Sequence, residues 1–236
     1  MVAYTNAQGK TAGWEWTIPT WDFISKGFVY SSKFQSEKDA AEEFGHEDYR
    51  KIEFKQGRHE RAWTANCVAI GLSYGFIEPL ESTSLFNTHH GILALIDILK
   101  QDALPGQFAR DRYNYNLSEH MDGWREFVEA HYYYSSRRDT PFWRHVTDEL
   151  EYEISGAHKV ILQAMVTGEE IPHGEDPIVY ILAGSGYSNV NERLNQYFND
   201  RIDFDTDNWM KQHQAVKNVA NQMPTMQEFL RNEIWA

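Results

Sequence analysis

Residues 13–19 read Gly13-Trp14-Glu15-Trp16-Thr17-Ile18-Pro19. Trp14, Trp16 and Ile18 alternate with Glu15 and Thr17, the period of a strand with one buried face, and Pro19 ends it because it has no N–H for the ladder. Residues 27–32 form a second extended run, so the two predict a hairpin with a long connection around residues 22–26. Ser36, with Asp39 three residues later, predicts a helix through Phe44. Residues 51–55 alternate again and predict a strand ending at Gly57. The apolar run 67–70 predicts a short buried strand.

Beyond Pro79 the period changes. Residues 85–100 read as a helix, punctuated by Leu104-Pro105-Gly106. Leu117, Met121, Trp124, Val128 and Tyr132 form the stripe of a long amphipathic helix, and Val146, Leu150, Ile154, Ala157, Ile161 and Met165 predict another. Residues 168–177 read as a polar loop, 178–183 as a short apolar segment and Gly184 with Gly186 as a turn. Helices are expected from about Thr206 and again after Pro224. The outline is α+β: a sheet-containing portion over residues 1–78, then a mainly helical region over 79–236.

The chain has 236 residues, 42% of them hydrophobic, with eight Trp and a net charge of -13. That composition excludes disorder, and the negative charge argues against nucleic acid and anionic membranes as partners. A single cysteine, Cys67, permits no internal disulfide. Set in an apolar run, it is expected to be a buried packing residue rather than a nucleophile. No signal segment and no apolar stretch of spanning length is visible, so a cytoplasmic location is expected.

Ten His raise the question of a metal. Glu43-x-x-His46 has the spacing of half a di-metal site but has no second copy, and adjacent His89 and His90 point about 100° apart on a helix. No metal site is therefore expected. Neither Gly-x-Gly-x-x-Gly nor a P-loop is present, so the chain offers no cradle of its own for nucleotide phosphates.

Phe76-Ile77-Glu78-Pro79-Leu80-Glu81-Ser82-Thr83 is the segment with chemical content. Pro79 stiffens an entry turn, Ser82 or Thr83 can cap the following helix, and that helix's free N–H groups favour an anion. Glu81, just outside, is either a dipole partner or a poised general base.

These blocks in their order resemble the flavin-dependent tryptophan-halogenase family. Gly13-Trp14-Glu15-Trp16-Thr17-Ile18-Pro19 matches its Gly-Trp-x-Trp-x-Ile-Pro signature. Arg61-Ala62-Trp63-Thr64-Ala65-Asn66-Cys67-Val68-Ala69-Ile70-Gly71-Leu72 then runs into the Glu-Pro-Leu-Glu-Ser-Thr block. Residues 27–32, Ala130-His131-Tyr132, Asp139-Thr140-Pro141-Phe142-Trp143 and residues 224–230 are family-like too, so the similarity spans nearly the whole chain.

The resemblance implies electrophilic halogenation of an aromatic or indole-type substrate, small or carrier-bound. Reduced FAD, supplied by a separate flavin reductase, and oxygen convert a halide ion to hypohalous acid, which reaches the substrate through a tunnel. It implies Glu81, with Ser82 beside it, as the catalytic carboxylate, buried and facing a lysine. Thr83 and Ser84 match the halide site, and Trp14 and Trp16, with Ile18 and Pro19, the wall beside the flavin tunnel. Phe142 and Trp143 belong to a separate family block and are read as packing.

Three departures stand out. Ser84 replaces a usual glycine, and the family's FAD-binding glycines and catalytic lysine lie upstream of anything in this sequence. Residues 178–184 replace the family's Tyr-Tyr-Cys-Val-Leu-Ala-Gly segment without the aromatic sandwich that precedes it. The chain is therefore expected to be a C-terminal portion, inactive when isolated. The rival readings are a non-catalytic remnant serving as a binding module and another flavoprotein monooxygenase, the latter disfavoured by the double-Trp strand.

Overall fold

The computed structural model describes residues 4–20, 22–153, 156–167, 177–185, 206–229 and 231–232. The chain divides into two compact units: Met1–Asp48 with Arg138–Arg144 and Glu192–Ala236, and Tyr49–Arg137 with His145–Asn191.

The first unit is built on a three-stranded antiparallel meander, β1 (Asn6–Gly9), β2 (Gly13–Pro19) and β3 (Ile24–Tyr30). The hairpin is the one read from the double-Trp motif, but β3 starts at Ile24, so the connection is a tight turn closed by Thr20 and Phe23. Strand alternation puts Trp14 and Trp16 on one face, their ring centroids 5.6 Å apart. Trp16 pairs with Gly27 across the ladder, and its ring occupies the space that a Cβ on Gly27 would need. Helix α1 (Glu37–Phe44) starts as expected. The Ser36 hydroxyl accepts the Asp39 N–H at 3.2 Å, and Gly45 closes the helix in the left-handed conformation at φ 69°. Phe142 and Trp143, in the short helix α4 (Pro141–Arg144), are buried, and Trp143 Nε1 donates to Lys10 O at 2.7 Å. These two rings are packing residues of this unit.

The second unit is organised along helix α3 (Gln107–Tyr133), the antiparallel pair β4 (Gly57–Arg58) with β7 (Gly75–Phe76), the hairpin β5 (Trp63–Thr64) with β6 (Cys67–Val68), and helix α2 (Thr83–Gln101). Leu117, Met121 and Val128 are buried, and the helix starts ten residues before the stripe that announced it, directly after Gly106. Polar side chains of α3 hold its neighbours. Asn114 accepts the Trp63 N–H at 2.7 Å and donates to Trp63 O at 3.0 Å. Asp122 takes a two-pronged ion pair from Arg58, at 2.9 and 2.7 Å. Tyr113 donates to Gly91 O at 3.1 Å, and burial pushes its phenol up to about 12.

Four expectations fail here. Residues 51–55 form no strand, because Ile52 and Phe54 are exposed and have no core to alternate against. Cys67 is exposed, and its strand is only two residues long. An apolar run at a hairpin edge gains no interior by composition alone. The stripe from Val146 to Met165 is not one helix. Residues 150–153 are non-helical between a π turn (His145–Glu149) and helix α5 (Gly156–Thr167), and Leu150 is exposed. Crowding of Asp148, Glu149, Glu151 and Glu153 opposes a continuous helix there. Ser82 occupies the position before α2, but its side chain makes no capping hydrogen bond.

The apolar segment after residue 177 is helix α6 (Pro177–Gly184), with Ile178 and Leu182 fully buried at helical spacing. Helices Thr206–Gln222 and Met226–Phe229 lie where the sequence places them. The loop 168–176 and Gly186 lie outside the described residues. No described helix is long and apolar enough to cross a membrane.

Gly27→Ala should therefore force the Trp16 ring out of its place, lowering stability by roughly 1–3 kcal/mol, the usual cost of overpacking. Thermal unfolding followed by the near-ultraviolet tryptophan signal will show a lowered midpoint.

Candidate functional site

Strand β7 leads into the central segment. Ile77 and Glu78 are buried, Pro79 at φ -73° starts a 3-10 turn over Leu80–Ser82, and α2 begins at Thr83. Within that turn Glu81 (φ 57°) and Ser82 (φ 55°) are both left-handed. For residues with a Cβ this conformation costs of order 1–3 kcal/mol each and persists only where surroundings enforce it. Positive φ thus falls on Glu81 and Ser82 and not on Ser84, which is inside α2 with helical backbone. Replacement of the family glycine by Ser84 consequently strains nothing at that position.

The last turn of α3 grips this segment at two adjacent residues. Tyr132 donates to both oxygens of Glu78, at 2.8 and 3.0 Å, and Gln56 Nε2 approaches Glu78 Oε2 at 3.3 Å. His131 Nε2 lies 3.9 Å from Glu81 Oε1. The two glutamates are therefore unlike. Glu78 is 4% exposed and saturated with donors, whereas the Glu81 side chain is 53% exposed. Glu81 is therefore not the buried carboxylate that the resemblance implies: the buried one is Glu78, and a histidine stands beside Glu81, the lysine of the resemblance lying upstream of this sequence. Burial lowers the His131 pKa despite the opposing pull of the Phe127 carbonyl and the Glu81 carboxylate.

Thr83 is 1% exposed and its Oγ1 is buried without a hydrogen-bond partner. It stands at the start of a 19-residue helix whose first turn contains no acidic residue, so free N–H groups and the positive end of the dipole coincide there. Ser84 is half-buried, and its carbonyl accepts the Thr88 hydroxyl at 2.7 Å. Glu81, Ser82, Thr83 and Ser84 thus form one continuous turn and helix start. Trp14, Trp16, Ile18 and Pro19 belong to β2 of the other unit, where Trp14 is buried, Trp16 half-buried and Ile18 exposed.

Beside this turn, a small pocket is lined by Ile70, Gly71, Tyr74, Ser84, His90 and His120, among others. His120 stacks on His90 with centroids 3.9 Å apart, and burial, with His90 nearby, lowers its pKa to about 4. Glu43 and His46 are engaged elsewhere: Glu43 accepts from the Thr11 N–H at 3.0 Å and from Gln35 at 2.7 Å, and His46 packs on the Phe44 ring.

Sequence reading missed His131, Tyr132 and Gln56 as parts of this site. His131-Tyr132 is a visible pair, but its partners lie some fifty residues away, and only the register of α3 against the turn joins them.

A left-handed Glu81–Ser82 pair thus leads into a helix whose first residue carries an unpaired hydroxyl, in a chain that also carries the double-Trp hairpin. The family profile described as Tryptophan halogenase matches residues 1–226, and the chain belongs to that family. Tryptophan 7-halogenase RebH of Lentzea aerocolonigenes is 33% identical over 205 residues, covering 84% of this chain and 37% of RebH. Among solved structures, VirX1 in its apo form is similar with a TM-score of 0.83 and 34% identity, over 98% of this chain and 49% of that one. The tryptophan 6-halogenase SttH of Streptomyces toxytricini gives 0.62 and 33%, over 76% and 38%. The chain thus spans about a third of the length of the curated relatives it matches.

Tyr132→Phe removes the hydroxyl that serves both Glu78 oxygens and should destabilise the chain by roughly 1–3 kcal/mol, the cost of a buried acceptor left short of donors. Urea unfolding will check this, and the double variant Glu78→Leu/Tyr132→Phe should cost less than the sum of its two single changes.

Proposed function

We propose that this chain is the substrate-side and halide-side part of a flavin-dependent halogenase, acting on an aromatic or indole-type molecule. The observation that carries the reading is the strained Glu81–Ser82 pair set directly against the unpaired Thr83 hydroxyl at the start of α2. Residues 1–78 would contribute to the flavin-side sheet and 79–236 to the substrate side.

The residues present fit the halide and not the dinucleotide, since the sequence has no glycine-rich phosphate cradle. Reduced FAD, renewed by a separate reductase, supplies with oxygen the oxidising power that turns halide into hypohalous acid. Thr83 and the backbone N–H groups of the first turn, Ser84 included, would hold the anion. Trp14 and Trp16, packed on the ladder and closed by Ile18 and Pro19, would wall the tunnel. Glu81, with Ser82 beside it, orients the electrophile and takes the ring proton, so that its charge matches the cationic ring at the moment it forms. Glu78, already committed to Tyr132, has no lone pair aimed at a substrate and holds the turn. The exposed lone Cys67 thiol suits the reducing cytoplasm.

In a halogenase made of this chain together with its flavin-binding portion, Glu81→Gln should lower substrate halogenation by about 10² or more, the usual size for a positioned acid–base group. Hypohalous acid formation, trapped with a small scavenger, should continue. Ser82→Ala should leave most of the activity.

The substrate is proposed to be larger than free tryptophan, or carrier-bound. A small amino acid needs its ring sandwiched and its charged ends fixed, or several ring carbons face one electrophile. Around α6 the aromatic pairs of tryptophan-specific members are missing, and Ile178 and Leu182 are spent on the core. A competition assay between free tryptophan and a panel of larger indoles should show preference for the panel. Tight, single-position chlorination of tryptophan would overturn this substrate reading.

A further inference from the structure

We propose that His131 and Glu81 act as one proton-accepting pair, with His131 as the positioning residue that sets the basicity of Glu81. The inference rests on the reading of Glu81 as the base, and its grounds are geometric. His131 sits in the last turn of α3, where its Nδ1 lies 2.9 Å from Phe127 O. A carbonyl oxygen can only accept, so Nδ1 carries the hydrogen and Nε2 is left with a bare lone pair. That Nε2 is buried and has no hydrogen-bond partner. The polar atom it approaches is Glu81 Oε1, at 3.9 Å.

Leaving a buried acceptor unmatched costs about 1–3 kcal/mol, so a structure that keeps one is offering it to something. Ionised Glu81 cannot donate to it. Protonated Glu81 can, and its exposed side chain needs to move about 1 Å to reach hydrogen-bond range. The pair is therefore satisfied in the state reached after the ring proton has been taken. The C–H bond of the cationic ring breaks, its electron pair restores aromaticity, and the proton passes to Glu81 Oε1, from which it is shared with His131 Nε2. Glu81, being half open to solvent, then returns the proton to water. The ionisable group acting on His131 is Glu81. Its other contacts are the Phe127 ring, with centroids 4.8 Å apart, and the Phe127 and Val128 backbone. Tyr132, next along the helix, is held by Glu78. Burial keeps His131 neutral and ready to accept.

The test has two arms. Nitrogen-resolved NMR of the histidine rings in the 236-residue chain should find His131 as the Nδ1–H tautomer, with Nε2 unprotonated at neutral pH. In Glu81→Gln its titration should move to lower pH, because loss of the carboxylate removes the attraction that favours the imidazolium. Identical titrations in the two proteins would overturn the pairing, whatever the chain catalyses. The second arm uses the halogenase made of this chain with its flavin-binding portion. His131→Phe should lower kcat roughly 10-fold with KM unchanged and displace the acidic limb of the pH–rate profile, while His131→Gln, which keeps an acceptor, recovers part of the loss. A coupled titration with unchanged kcat in both variants would overturn the catalytic role. A wild-type assembly that halogenates no aromatic, with the titrations still coupled, would overturn the halogenase reading and leave the pair standing.

Discussion

A carboxylate removed from water must find donors inside the fold, and in the second unit one helix supplies them. Glu78 is buried, and the Tyr132 hydroxyl on α3 meets both of its oxygens. The rest of the unit is arranged about the same helix by the same rule. Asn114 completes the backbone of Trp63, Asp122 receives the Arg58 guanidinium, and Tyr113 caps the Gly91 carbonyl. On its other side, Glu126 binds His158 at 2.8 Å with both side chains buried, and Tyr152 donates to the Glu126 carbonyl. Each contact is worth a modest net amount when made and several times more when broken, so the set fixes a register more firmly than it adds stability.

That register is what a strained turn needs. Two successive left-handed residues with side chains cost several kcal/mol together, and no local hydrogen bond from Ser82 offsets it. The strain is enforced from outside: Glu78 is tied to Tyr132 on one side of the turn, and Thr83 is fixed by the buried start of α2 on the other. Between these anchors the turn has little freedom, and Glu81 projects from it toward His131. Glu78 and Glu81 are chemically the same and only three residues apart, yet one is structural and the other open. Environment, not residue type, separates them.

Much of this architecture was legible in the sequence because it depends on local rules. The Trp14-Glu15-Trp16 alternation, the Ser36–Asp39 cap, the helical reading of 85–100 and the Leu117–Met121–Val128 stripe each concern neighbours in the chain, and each is seen. Readings failed where a local pattern needed a distant partner. Residues 51–55 alternate like a strand, but Ile52 and Phe54 stay exposed, Phe54 meeting only the edge of the Phe76 ring among the described aromatics, and the run after Asn66 is apolar but sits at a hairpin edge. The stripe from Val146 through Ile161 has helical spacing, yet an acidic stretch breaks it in the middle. Of the candidate site, residues 78–84 could be located from their own motif. His131 and Gln56 could not, since their roles exist only after α3 and the residue 56 region are brought to that motif. The exchange of burial between Glu78 and Glu81 was equally invisible, because identical side chains within one motif differ only in what surrounds them.

Helix α2 extends the argument from the site to the whole. Thr83, Gly91 and Ile98 face the unit's interior, while Leu85, Phe86, Ile92, Leu93, Ile96 and Leu99 are exposed. A helix apolar on both faces belongs between two layers, and here one layer is α3. An exposed apolar stripe of this length marks a surface that gains by being covered. The same helix that presents its N-terminus to the Glu81 turn thus carries, along its outer side, the surface a second layer would take. Anything covering that stripe would also press on the helix whose first residue is Thr83, so the geometry of the anion end and the packing of the outer face are mechanically one problem.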